Sequence, residues 1–134
     1  ANLFNRDGGP TPPIGISVPQ AMYDDFVEIC KPVKNINPDF PFEVKVAKPR
    51  KRPTSTGGTD ASVFAVEGVP TYGFTTDDIK GYNFSYGEIW HTERDLYTKN
   101  IPEYQEHTAV VTAIVALGVA NLDKQLSREG MYKE

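Results

Sequence analysis

Phe42–Phe74, FEVKVAKPRKRPTSTGGTDASVFAVEGVPTYGF, holds the segment whose reading decides the fold. Its first six residues, FEVKVA, alternate apolar and polar with a period of two, as a strand with one face in water does. GGTDASVFAVEG then offers Thr59 or Asp60 as an N-cap, Val63 and Val66 at helix-compatible spacing, and Gly68 as the closing residue. VPTYGF follows and reads as a second, buried strand. A strand, a helix and a strand in succession point to a layered α/β sheet.

The flanking sequence extends that alternation. ANLFN reads as a short buried strand, with Asp7 at its exit, and RDGGPTPP breaks it with two glycines and three prolines. From Pro19 the period becomes helical, with Met22, Phe26 and Ile29–Cys30 on one stripe, until Pro32 ends it. From Thr75 to Trp90 an aromatic loop carries Tyr82, Phe84, Tyr86 and Trp90. Ile101 to Leu126 closes the chain as a helix whose stripe includes Tyr104, Val111, Ile114–Val115, Gly118–Val119, Leu122 and Leu126. Its middle is apolar nearly all round, which predicts a well-buried helix. The expected fold is therefore α/β, a partial mixed or parallel sheet flanked by helices, with ligands gathering at the carboxyl ends of strands.

A chain of 134 residues, 39% hydrophobic and 24% charged, is the size of one domain, residues 1–134. A net charge of −4 argues against a general nucleic-acid binder, and the basic run KPRKRP (Lys48 to Pro53), flanked by prolines, reads as a solvated loop. A small molecule or a peptide is the expected partner. The single cysteine, Cys30, excludes an internal disulfide and a Cys-rich zinc site, and its place in a helical stripe predicts buried packing. The run from Ala109 to Leu122 falls short of the about 20 apolar residues needed to cross a bilayer, so no membrane span is expected. The chain opens at Ala1, without a methionine and in mid-strand, so its N-terminus reads as a cut.

Only two histidines are present. His91, in GEIWHTERDLY, could ligate a metal, with Asp95 four residues on to orient the imidazole; equally, Thr92 and Asp95 could cap a turn. His107 is expected on the solvated side of the last helix. Asp7, followed by Gly8 and Gly9, could bind a metal at a strand end or stabilise a turn through its own backbone, and Asp60 could serve a site or only cap its helix. There is no P-loop, GxGxxG, HExxH or GxSxG motif.

Together, NRDGG, GGTDASVFAVEGVPTYGF and WHTERD, followed by a long apolar helix, resemble the C-terminal part of the zinc exopeptidases of metallopeptidase family twenty-eight, which includes two-zinc aminopeptidases and carboxypeptidase Q. The resemblance runs from Asn2 to about Arg128. It implies the C-terminal portion of a phosphorylase/hydrolase-like zinc-exopeptidase fold, with Asp7 and His91 as ligands of two different zinc ions and Asp60 as an acidic position near the active centre. Trp90 and Asp95 would stand beside the metal or substrate, and Tyr82, Phe84 and Tyr86 would rim the substrate pocket. The bridging aspartate, an earlier histidine, a further carboxylate and the general-base glutamate would all lie upstream of Ala1. The chain alone is therefore expected to bind zinc weakly and hydrolyse nothing, while the whole protein cleaves terminal peptide bonds with two zinc ions. Members are often exported, which implies an extracytoplasmic location.

One departure bears on function. The aminopeptidases carry a tyrosine just before the last histidine, and here that place is Trp90, whose indole has an N–H but no hydroxyl. Tryptophan there resembles the glutaminyl cyclases, single-zinc acyltransferases related to the peptidases, which stand as the alternative reading. A non-catalytic binding or scaffold domain is the third. A cut through an α/β sheet would expose apolar surface, so self-association, most simply a dimer, is also expected.

Overall fold

The strand that organises the sheet is one that local composition disguises. In a computed structural model describing residues 3–4, 9–83 and 85–133, β1 spans Leu3–Phe4 and β2 spans Pro13–Val18. β2 lies between β3 (Glu43–Val46), parallel to it with Gly15 opposite Glu43 and Val18 opposite Val46, and β5 (Phe74–Thr76), antiparallel to it with Ile16 opposite Phe74. Pro13 is tolerated as the first strand residue, where its missing N–H is least costly. A Cβ on Gly15 would come within 2.5 Å of the Glu43 carbonyl oxygen, so the close approach of β3 to β2 requires glycine there. β1 pairs in parallel with β4 (Thr71–Tyr72), so the single strand expected over VPTYGF is divided at Gly73 between two sheets. The protein is thus α/β, with a small mixed sheet flanked by helices.

α1 (Tyr23–Cys30) is entered through a 3-10 turn at Gln20–Met22 and left through another at Lys31–Asn35. Pro32 therefore does not stop the helical path but shifts it to the tighter winding, in whose first residues a missing N–H does no harm. The stripe Met22, Phe26 and Cys30 is buried with Ile16, Val18, Val33 and Phe42, and Tyr72 packs edge-on to Phe26 at 4.9 Å between ring centres. Burial pushes the Cys30 thiol up to about 11, so it is an inert packing group.

α2 spans Ala61–Val66, α3 Tyr86–Ile89 and α4 Pro102–Ala120. α4 buries Tyr104, His107, Val111 and Val115, and Gly118 lets it approach α1 closely, since a Cβ there would lie 2.5 Å from Ile29 Cγ2. Its opposite face, with Ala109, Val110, Ala113 and Leu117, is open to solvent, so the all-round burial expected for this helix holds on one side only. No helix among the described residues is long and apolar enough to cross a membrane. The helix ends at Ala120, short of the Leu126 expected, because the tail turns back: Leu126 and Met131 enter the core, and the Lys133 N–H donates to the Arg50 carbonyl at 2.9 Å. Within the basic run, Arg52 donates twice to the Val66 carbonyl at the end of α2 (2.7 and 3.2 Å), and Arg50 donates to Thr71 Oγ1 at 2.9 Å.

Candidate functional site

Two chain reversals present the polar groups. Before α2, the Gly57 N–H donates to Ser62 Oγ at 2.9 Å and the Ser62 N–H to the Thr59 carbonyl at 3.0 Å. Asp60 occupies the N-cap position, yet its carboxylate makes no capping hydrogen bond. Capping, the ordinary reason for an aspartate at that position, is not what this side chain does.

The second reversal follows α3. Trp90 closes that single turn, its N–H donating to the Tyr86 carbonyl at 2.9 Å, and His91 then adopts the left-handed conformation at φ +55°. Thr92 clamps the turn: its hydroxyl lies 3.0 Å from the Glu88 carbonyl and 3.1 Å from that of Ile89, and accepts the Arg94 N–H at 3.2 Å. The Asp95 N–H donates to the Thr92 carbonyl at 3.2 Å. The turn-forming role open to Thr92 is therefore real. Lys99 reaches back to Glu88 at 3.4 Å and braces the segment beyond.

Between these reversals lies an open cleft of about 870 Å³. Gly9, Pro10 and residues 58–60 form one side, Tyr86 and residues 89–91 another, and residues 95–97, 99 and 100 with Gln105 and Thr108 of α4 complete it. Asp60 thus comes together with Tyr86, Trp90, His91 and Asp95, which belong to one segment distant from it in sequence. Asp7 and Phe84 lie outside the described residues, although Gly9, two positions after Asp7, lines the cleft. Tyr82 is elsewhere: its hydroxyl donates to Glu103 Oε1 at 2.6 Å and its ring meets Tyr104 edge-on.

Within the cleft wall the rings are ordered. The imidazole of His91 stacks on the indole of Trp90 at 4.5 Å and 27°, and Tyr86, one turn earlier, lies 6.2 Å from Trp90 at 26°. Among the described residues no hydrogen bond or ion pair joins Asp95 to His91. Leu96, Tyr97, Asn100, Gln105 and Thr108 also line the cleft without having been singled out from sequence. The 91% exposure of Tyr97 is a signal only coordinates reveal, because Leu96 and Tyr97 belong to no periodic pattern.

Away from the cleft, His107 is not on the surface as expected. It is 4% exposed and packs face-on against Phe40 (4.2 Å, 31°), and neither ring nitrogen has a hydrogen-bond partner among the described residues. Burial holds its pKa below the usual value. Nearby, the buried Tyr104 hydroxyl donates to Asp78 Oδ1 at 2.7 Å and accepts the Lys80 N–H at 2.8 Å; burial, then Asp78, pushes it up to about 12. Hydrogen bonds from Lys80 and Tyr82 hold the Glu103 carboxyl below its usual range.

A zinc ion needs three or four protein ligands. Among the described residues no three His, Cys, Asp or Glu side chains gather as a metal-holding group. His91, exposed on the cleft wall, fits one ligand position; the described residues alone do not make a zinc site. No protein-family model, no curated protein and no solved structure matches this chain.

Proposed function

We propose that the chain is the carboxy-terminal part of a zinc-dependent exopeptidase and supplies one wall of its substrate cleft. The observation that carries this reading is the convergence of Asp60, Trp90, His91 and Asp95 on one cleft, with Gly9 and Pro10, next to the Asp7 segment, on its rim. Those are the positions that the resemblance assigns to the site; Trp90, His91 and Asp95 are sequence neighbours on one turn, whereas Asp60 and the Gly9–Pro10 segment join them from distant parts of the chain.

In this reading His91 contributes one nitrogen donor, Asp7 contributes to a second ion, and the remaining ligands and the general base lie outside this chain. Zinc, when bound, would polarise the scissile carbonyl and lower the pKa of an attacking water. The chain's own residues bind and orient. Tyr86, Leu96 and Tyr97 offer apolar surface to a terminal side chain, the indole N–H of Trp90 is the donor standing where the aminopeptidases have a hydroxyl, and the cleft keeps Asp60 and Asp95 as exposed carboxylates. The same indole favours the second reading, a single-zinc glutaminyl cyclase. A peptide is the proposed partner, and the exposed apolar face of α4 supports self-association of the isolated chain.

The reading requires the isolated chain to bind zinc weakly and to hydrolyse no peptide. Titration calorimetry giving tight zinc binding to this chain alone contradicts it.

A further inference from the structure

The sequence suggests Asp95 as the group that orients His91, but the structure supplies a different support. His91 takes its left-handed backbone immediately after Trp90, and its imidazole lies nearly parallel to the indole at 4.5 Å. The indole is also nearly parallel to the Tyr86 ring at 6.2 Å, and Tyr86 is itself backed by Gly9, where a Cβ would come within 3.1 Å of Tyr86 Cδ2. Successive contacts thus link the Gly9 backbone, Tyr86, Trp90 and the imidazole. Asp95 makes no bond to the imidazole, and its N–H is used in the Thr92 turn.

We infer that Trp90, braced by Tyr86, is the positioning residue for His91, setting the plane in which the imidazole presents its nitrogen to the cleft. Parallel ring contact fixes two of the ring's rotations while leaving its edge, which carries both nitrogens, unobstructed. A carboxylate partner would instead occupy one nitrogen. The assignment deepens the zinc reading and rests on it for its functional meaning.

The experiment uses this chain with isotope-labelled histidine, read by NMR at neutral pH and then titrated with zinc alone. Ring currents from the indole should displace the His91 Hδ2 and Hε1 resonances upfield. Trp90→Leu should return them to unstructured values, Trp90→Phe should retain most of the displacement, and Asp95→Asn should leave it in place. In the titration, zinc should move the His91 resonances, and Trp90→Leu should weaken that response about threefold to tenfold, with Trp90→Phe largely restoring it. A structural role alone would not give rescue by another flat ring in a solvent-exposed position. If the His91 resonances are indifferent to Trp90→Leu, or respond to Asp95→Asn instead, the positioning role is overturned. If they behave as stated but zinc saturates the wild-type His91 resonances at about micromolar concentration, the ring contact stands and the zinc-exopeptidase fragment reading is what fails.

Discussion

Acidification should weaken this fold through His107 before it reaches any carboxylate. The imidazole is 4% exposed, stacked on Phe40, and without a hydrogen-bond partner at either nitrogen among the described residues. Its folded-state pKa is lowered from 6.5 by burial, so the unfolded chain takes up the proton first. Stability from this group is therefore present above about pH 6.5 and lost as pH falls toward the folded value, at up to about 1.4 kcal/mol per pH unit for one proton. His107→Leu removes the titration and two unsatisfied buried polar atoms, a gain of about 1–3 kcal/mol, against the loss of a ring contact of about 0.5–1.5 kcal/mol. The variant should be about 1 kcal/mol more stable than wild type at pH 7.5 and should gain further advantage at pH 5.5. Urea unfolding at pH 7.5, 6.5 and 5.5, at fixed ionic strength, measures both quantities. Parallel pH slopes for the two proteins would refute the reasoning, and so would a variant less stable than wild type by more than 2 kcal/mol at pH 7.5. The Glu103 carboxyl, held below its usual range, acts in a separate window: it stabilises above about pH 4.5 and loses that contribution below it.

Gly118→Ala should cost about 1–3 kcal/mol, because its Cβ meets Ile29 where α4 crosses α1, and a thermal or urea midpoint unchanged from wild type would contradict that packing. At the left-handed position 91, His91→Gly should be more stable than His91→Ala by about 1 kcal/mol, since only the latter keeps a Cβ there; equal unfolding midpoints would remove the case for strain. Leu117, 63% exposed on the apolar face of α4, should carry the proposed self-association: wild type is expected to shift from monomer toward dimer with concentration in light scattering and Leu117→Lys to stay monomeric, whereas a wild-type monomer throughout would end that proposal.

Where local pattern and tertiary environment agree, sequence and structure coincide. The alternation of FEVKVA became β3, and the stripe Met22, Phe26 and Cys30 became the buried face of α1. β2 escaped notice because RDGGPTPP, with Pro10, Pro12 and Pro13, read as a breaker running into it, although a proline at a strand's first position is compatible with pairing, as is Gly15 beneath a neighbouring carbonyl. His107 read as solvated because it was placed on the polar side of the helix; Phe40, distant in sequence, packs over its ring, and no local signal encodes that contact. α4 shows the converse, since an apolar run says that a helix can be covered on all sides but not that it is.

The cleft was legible in part. Asp60, Tyr86, Trp90, His91 and Asp95 were named from spacing and resemblance and share it, whereas Tyr82 was grouped with them by aromatic character and instead bonds Glu103. The contributions of Tyr97 and Asn100 depend on how the Thr92 turn swings the following segment, which is a property of three-dimensional closure rather than of composition.

The most direct test of the account is the zinc content and exopeptidase activity of the longer protein it proposes, beside its His91→Ala variant, on peptides blocked at one end or the other. The account predicts two zinc ions and chain-end cleavage, with loss of about one zinc equivalent and at least a hundredfold fall in kcat/KM on His91→Ala. A metal-free protein, or a variant with undiminished zinc and activity, would contradict it.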